Sequence, residues 1–180
     1  MAVERALAIR HVMQANKSKD TGPELLVRTA LRAAGYPGYR LHWKKAPGHP
    51  DICFPGRKLA IFVNGCYWHR CPYCTGTSPK TNVAFWENKF ARNQARDQRD
   101  QELLSGAGWD VVVVRECRLK HGRASATLAA LVEELGVRSA EAASHEPLAG
   151  RVVELCAPEA WHLARAHGRM AAVRRRNARH

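Results

Sequence analysis

The stretch "NGCYWHRCPYC", residues 64–74, holds three cysteines, a histidine and three aromatic rings in eleven positions, and it constrains the fold more than any other segment. Cys66, Cys71 and Cys74 follow a C-x4-C-x2-C spacing, and Cys117 arrives much later, at the end of an apolar run. Four thiolates form a closed tetrahedral shell suited to Zn2+, a borderline-soft ion without redox chemistry. The loop and the distant strand must then meet at one ion. A closed shell leaves no position for water, so such an ion is structural and not catalytic. His69, inside the loop, is the alternative fourth ligand to Cys117. Cys53 and Cys156 stand alone and read as buried free thiols.

Clustered cysteines favour metal over disulfides in a reducing compartment. The first residues, "MAVERALAIRHVMQANKSK", carry Glu4, Arg5 and Arg10 where a signal peptide needs an apolar core, so a cytoplasmic protein is expected. No stretch approaches the roughly 18 consecutive apolar residues of a bilayer span. The 180 residues fit one domain with an appendage. The composition changes near residue 136, which separates a domain at 1–137 from a basic, Ala/Arg-rich extension at 138–180. Lys and Arg number 29 against 16 Asp and Glu, a net charge of +13. Such an excess fits a polyanionic partner, although a basic surface also suits acidic lipids.

The periodicity predicts a short helix at 3–13. A second helix covers 21–35, with Thr21 as N-cap, Glu24 closing a capping box, Pro23 in the first turn and Gly35 as the stop. Residues 51–63 read as two apolar strands around a Pro55-Gly56 turn. A hairpin centred on Gly56 and Arg57 pairs Phe54 with Leu59 and sets Asp51 opposite Phe62, within a residue. A long polar helix follows over 83–108, with Phe85, Trp86 and Phe90 on one stripe and Gly106 and Gly108 at its exit. "WDVVVVREC" is a buried strand ending at Cys117, and "ASATLAALVEELG" an amphipathic helix. A further helix is expected at 158–176. The order implies an α/β fold, a mixed sheet covered by helices.

The succession "GHPDICF", "LAIFVNGCYWHRCPYC" and "FWENKFARNQARDQRDQELLSGAGWDVVVVRECRL" resembles the very-short-patch repair (Vsr) endonucleases, from about residue 9 to about residue 135. The resemblance implies a restriction-endonuclease-like (PD-(D/E)XK) fold with a structural zinc site. It implies nicking of one DNA strand at T:G mismatches left by deamination of 5-methylcytosine. Double-stranded DNA is then the partner of a monomeric enzyme, with mismatch-repair proteins as further partners. Residue by residue, Asp51 matches the carboxylate that binds catalytic Mg2+, and Val63 a position that contributes a backbone carbonyl to the same shell. His69 matches the histidine that activates water, Asp97 the carboxylate that orients it, and Glu24 a glutamate near the hydrated metal. Cys66, Cys71, Cys74 and Cys117 match the zinc ligands. Tyr67, Trp68 and Trp86 match aromatics that wedge beside the mismatch, and Met13 belongs to a segment that embraces DNA. Lys89, Asn93 and Arg96 on the long helix are read as further DNA contacts, with "RRRNAR" of the tail as an additional phosphate-holding run. At position 64 relatives often carry histidine or aspartate; Asn64 can hold a water but cannot accept its proton.

The chemistry is coherent without the resemblance. Mg2+ keeps several waters and needs only one or two carboxylates, so Asp51 with a carbonyl suffices as anchor. An imidazole, with an unperturbed pKa of about 6.5, accepts protons near neutrality, and a carboxylate such as Asp97 can fix its tautomer. Two rivals use the same residues differently: a restriction-type or structure-specific nuclease with another DNA target, and a zinc-stabilised DNA-binding module whose active site has decayed.

Overall fold

Local sequence rules set the first element of the computed structural model, which describes residues 19–74, 78–143 and 150–155. The helices expected at 3–13 and 158–176, together with Met13, lie outside those residues. Helix α1, Gly22–Ala33, starts at Thr21, whose side chain accepts from the Glu24 N–H while the Glu24 carboxylate takes the Thr21 hydroxyl and the Asp20 N–H, both at 2.9 Å. It stops at Gly35, which takes a φ of +81° that a side chain would oppose. There the Tyr36 N–H reaches back to the Leu31 carbonyl and the Gly35 N–H to that of Arg32, satisfying two terminal carbonyls.

Strands β1 (Arg40–Leu41), β2 (Ile52–Phe54) and β3 (Leu59–Asn64) follow. The β2–β3 hairpin pairs Phe54 with Leu59 and Ile52 with Ile61, the register expected from the Pro55-Gly56 turn. The turn itself is one 3-10 turn at Pro55–Arg57, closed by Lys58 in the left-handed region. Helix α2, Val83–Gly106, crosses to β4, Asp110–Arg115, which lies parallel to β3. Helix α3, Ala124–Ala143, crosses to β5, Val152–Leu155, parallel to β4. The sheet order is β1-β2-β3-β4-β5, mixed as expected, with β1 and β2 antiparallel to their neighbours.

Every residue of β4 is buried, because helices cover both faces of the sheet. Val112 and Val114 pack with Ile61, Val63 and residues of α1 and α3: Val27, Leu31, Leu131 and Leu135. Val111 and Val113 face the other way, with Ala60 and Leu104 of α2. Two details depart from the expected boundaries. The strand predicted to end at Cys117 ends at Arg115, and Cys117 sits in a 3-10 turn, Glu116–Leu119, where its N–H donates to Cys66 Sγ and not to a strand partner. The helix expected to stop at Gly136 runs on to Ala143, so the boundary placed at residue 137 falls inside α3, and β5 beyond it joins the sheet. No described helix is long and apolar enough to cross a membrane.

Leu104 is fully buried where α2 meets the sheet. Leu104→Ala is expected to lower the unfolding free energy by about 2–5 kcal/mol, through lost burial and the cavity left behind. Urea denaturation should show a lower midpoint with an unchanged slope.

Candidate active site and thiol cluster

One end of the sheet collects the chemistry. β2 runs antiparallel to β3, so the residue before β2, Asp51, lies beside the residues that end β3. Asp51 Oδ2 accepts the Val63 N–H at 2.7 Å. Val63 therefore meets Asp51 through its backbone amide. Asn64 is buried at the tip of β3, level with Arg115 of β4. Burial pushes the Asp51 carboxyl up to about 6; the Val63 N–H opposes this, the negative charge of Glu24 adds to it, and His42 and His69 pull it back when protonated. Glu24 is itself buried, so two acidic side chains share a poorly hydrated corner.

The loop after β3 carries His69, whose Nδ1 contacts Asp97 Oδ2 of α2. That contact fixes the ring and leaves Nε2 as the nitrogen free to take a proton. His69 is thus engaged away from the thiols. Sγ atoms of Cys66, Cys71, Cys74 and Cys117 all lie within 4.8 Å of one another, and Cys71 and Cys117 are 3.8 Å apart. Thiolate bonds of about 2.3 Å to one tetrahedral ion require sulfur separations of this size, so the four residues fit such an ion. Burial, with Cys71 and Cys74 nearby, raises Cys117 to about 11 against a lowering contact with Cys66. Cys71 goes down despite burial, since the Tyr73 N–H and the other three thiols stabilise its thiolate. The Cys66 N–H donates to Glu116 Oε2 at 3.2 Å, which ties the loop to the turn that bears Cys117.

Aromatic rings form the rim. Tyr67 meets Trp68 edge-on at 5.0 Å and Phe90 at 5.2 Å, and Trp86 lies 6.1 Å from both Tyr67 and Trp68. Lys89 Nζ sits over the Trp68 and Trp86 rings at 5.0 and 5.1 Å. Asn93 donates to the Trp68 carbonyl at 3.0 Å, and Arg96 to the Asn93 side chain at 3.3 Å. Lys89, Arg92, Arg96 and Arg99 recur at helical spacing, so a basic stripe runs along α2 from the aromatic cluster. Two positions at this end were not singled out in the sequence. His42 follows β1 opposite Asp51, visible only once β1 is paired with β2; Glu116 stood only as part of the strand "WDVVVVREC", with no role of its own.

Residues 6–74 match the family model described as DNA mismatch endonuclease Vsr. The chain is 46% identical over 110 residues to the Type II nicking enzyme V.XorIIP of Xanthomonas oryzae pv. oryzae, covering 61% of this chain and 80% of that relative. It is 40% identical over 128 residues to the Type II nicking enzyme V.NaeI of Lentzea aerocolonigenes, covering 68% and 74%. To the DNA mismatch endonuclease Vsr of Escherichia coli (strain K12) it is 35% identical over 123 residues, covering 68% and 78%.

The raised Asp51 value has a stability consequence. Between about pH 4 and 6 the folded protein holds a proton that the unfolded chain releases, so this group's contribution falls as pH rises through that window. Asp51→Asn removes the loss. In Mg2+-free buffer the variant should exceed the parent in unfolding free energy on the order of 1–3 kcal/mol at pH 7.5, and by less at pH 5. Urea titrations at the two pH values measure it; equal stabilities at pH 7.5 would mean that the buried charge is already compensated.

Proposed function

The chain belongs to the DNA mismatch endonuclease Vsr family and is a DNA nicking endonuclease; we propose that it cuts one strand of duplex DNA beside a T:G mismatch in a Mg2+-dependent reaction. The observation that carries this reading is the adjacency of the aromatic cluster to the His69–Asp97 pair: Tyr67 and Trp68 immediately precede His69 in one loop. The five-stranded mixed sheet flanked by helices supports a restriction-endonuclease-like frame.

In this proposal Tyr67, Trp68 and Trp86 enter the base stack, with Lys89 following between the two indoles. Stacking of a base on an aromatic ring contributes about 1–3 kcal/mol, and a mismatch is cheaper to unstack than a paired step. Asn93, Arg96 and the basic stripe of α2 hold the phosphate backbone. Asp51 anchors the divalent ion, which when bound supplies Lewis-acid stabilisation of charge on the phosphate. Asp97 holds the His69 tautomer, and His69 Nε2 takes the proton of the water whose oxygen bonds to phosphorus; the bond from phosphorus to the 3'-oxygen breaks and that oxygen takes a proton from solvent, leaving 3'-hydroxyl and 5'-phosphate ends. Asn64 orients water without accepting its proton. Cys66, Cys71, Cys74 and Cys117 hold a structural Zn2+ that keeps the His69 loop in place.

End-labelled duplexes with T:G, U:G and fully paired centres, each with Mg2+ or without it, test the reading. Nicking of the T:G duplex only, with Mg2+ only, is expected. Equal cutting of the paired duplex would overturn mismatch specificity, and binding without nicking would support a decayed module. Asp51→Ala should abolish nicking while duplex binding persists. Cys71→Ser should lose stoichiometric zinc and melt at lower temperature, since structural zinc binding contributes directly to folding; a stable, zinc-free and active variant would show the ion to be dispensable.

A further inference from the structure

His42 has no part in the reading above, yet it occupies the space between two of its carboxylates. It follows β1, and its N–H donates to the Asp51 carbonyl at 3.3 Å. Its backbone lies in the left-handed region, with φ +44°, a conformation that costs a non-glycine residue on the order of 1 kcal/mol and is retained where the surroundings demand it. The ring is mostly enclosed. Nδ1 stands 3.7 Å from Asp51 Oδ1, and Nε2 stands 3.8 Å from Glu24 Oε2. Both separations are too long for direct hydrogen bonds. Nε2 is buried and has no hydrogen-bond partner among the described residues.

The oxygens of Asp51 are divided. Oδ2 is committed to the Val63 N–H, so Oδ1 is the oxygen left for an ion, and Oδ1 is the one that faces His42. Glu24 spends Oε1 on the Thr21 hydroxyl and Oε2 on the Asp20 N–H; Oε2 is also the atom on the His42 side. A neutral imidazole has one N–H and one lone pair. At 3.7 and 3.8 Å neither nitrogen reaches its carboxylate directly, in either protonation state. A water, held in turn by a cation that both carboxylates face, completes such a contact.

We propose that His42 is a positioning residue of the divalent-ion site, bridging Glu24 and Asp51 so that both carboxylates present to one ion. This rests on the assignment of Asp51 as the ion's anchor. Its consequence is specific: removing the ring weakens the ion's hold without removing the group that takes the proton. Partners that orient metal-binding side chains typically contribute about 10–100-fold in metal affinity.

The test uses the full-length, zinc-loaded protein with the parent, His42→Ala, His42→Gln and Asp51→Ala. Mn2+ binding is followed by loss of the free-ion electron paramagnetic resonance signal, and the half-saturating Mg2+ concentration for nicking is measured in parallel. His42→Ala is expected to weaken Mn2+ binding about 10–100-fold and to raise the Mg2+ requirement, with the nicking rate at saturating Mg2+ changed far less. His42→Gln, whose amide both donates and accepts, is expected to recover most of the affinity. Parent-like Mn2+ binding by His42→Ala, with binding lost in Asp51→Ala, would overturn the role of His42 alone. A glutamine variant as weak as the alanine variant would overturn the bridge. Parent-like binding by Asp51→Ala would overturn the anchor and His42's role with it.

Discussion

The convergence of Cys66, Cys71 and Cys74 with Cys117 is the contact on which the arrangement of the site depends. β3 and β4 are parallel neighbours, so the loop that leaves one and the turn that leaves the other emerge at the same end of the sheet. The thiols join those two segments directly, and the Cys66 N–H to Glu116 contact repeats the join through the backbone. Because β2 is antiparallel to β3, its first residues come to that end as well, and Asp51 arrives opposite the strand that delivers His69. One reversal of strand direction therefore brings together side chains from separate parts of the chain. The catalytic assignments of the proposed function rest on that geometry, and they would be idle without it.

The electrostatics of this corner work against the folded state. Burying Asp51 next to buried Glu24 raises the cost of its charge, and the Val63 N–H and, when protonated, the two nearby histidines offset part of it. Sites that bind cations tolerate such a cost because the ion returns it on binding. The same corner holds His42 in a left-handed backbone conformation. Strain and a crowded pair of acids in one place are features that the proposed ion site would account for.

Much of this was legible in the sequence where a strong local rule applied. Thr21, Glu24 and Gly35 bounded α1, and Pro55-Gly56 set the register that pairs Phe54 with Leu59. The C-x4-C-x2-C spacing with a distant Cys117 was enough to bring four thiols to one point. What escaped lacked a local signal. β1 has two exposed residues, Arg40 and Leu41, and no alternation to read; without it His42 has no visible relation to Asp51. β5 is four residues set in an Ala- and Arg-rich context, so its pairing with β4 comes from tertiary contact. Gly136 looked like a helix stop, but it is absent from the glycines with positive φ, and α3 continues through it.

The loop from Gly65 to Cys74 has almost no regular structure, so its order must come from what grips it. Fixing about ten residues costs on the order of 10–20 kcal/mol of backbone entropy. Asn93 holds the Trp68 carbonyl, Asp97 holds His69, and Tyr73 donates to Glu154, which also pairs with Arg115. Each such hydrogen bond contributes a net of only about 1 kcal/mol, or about 1.5–3 where a charge takes part. Packing of Tyr67 and Trp68 against Phe90 and Trp86 offsets a further part of the entropy. A structural ion on four thiolates, where bound, contributes an apparent 10–16 kcal/mol. The side-chain contacts select the conformation of the loop that presents His69, and the structural ion proposed above would add to its hold.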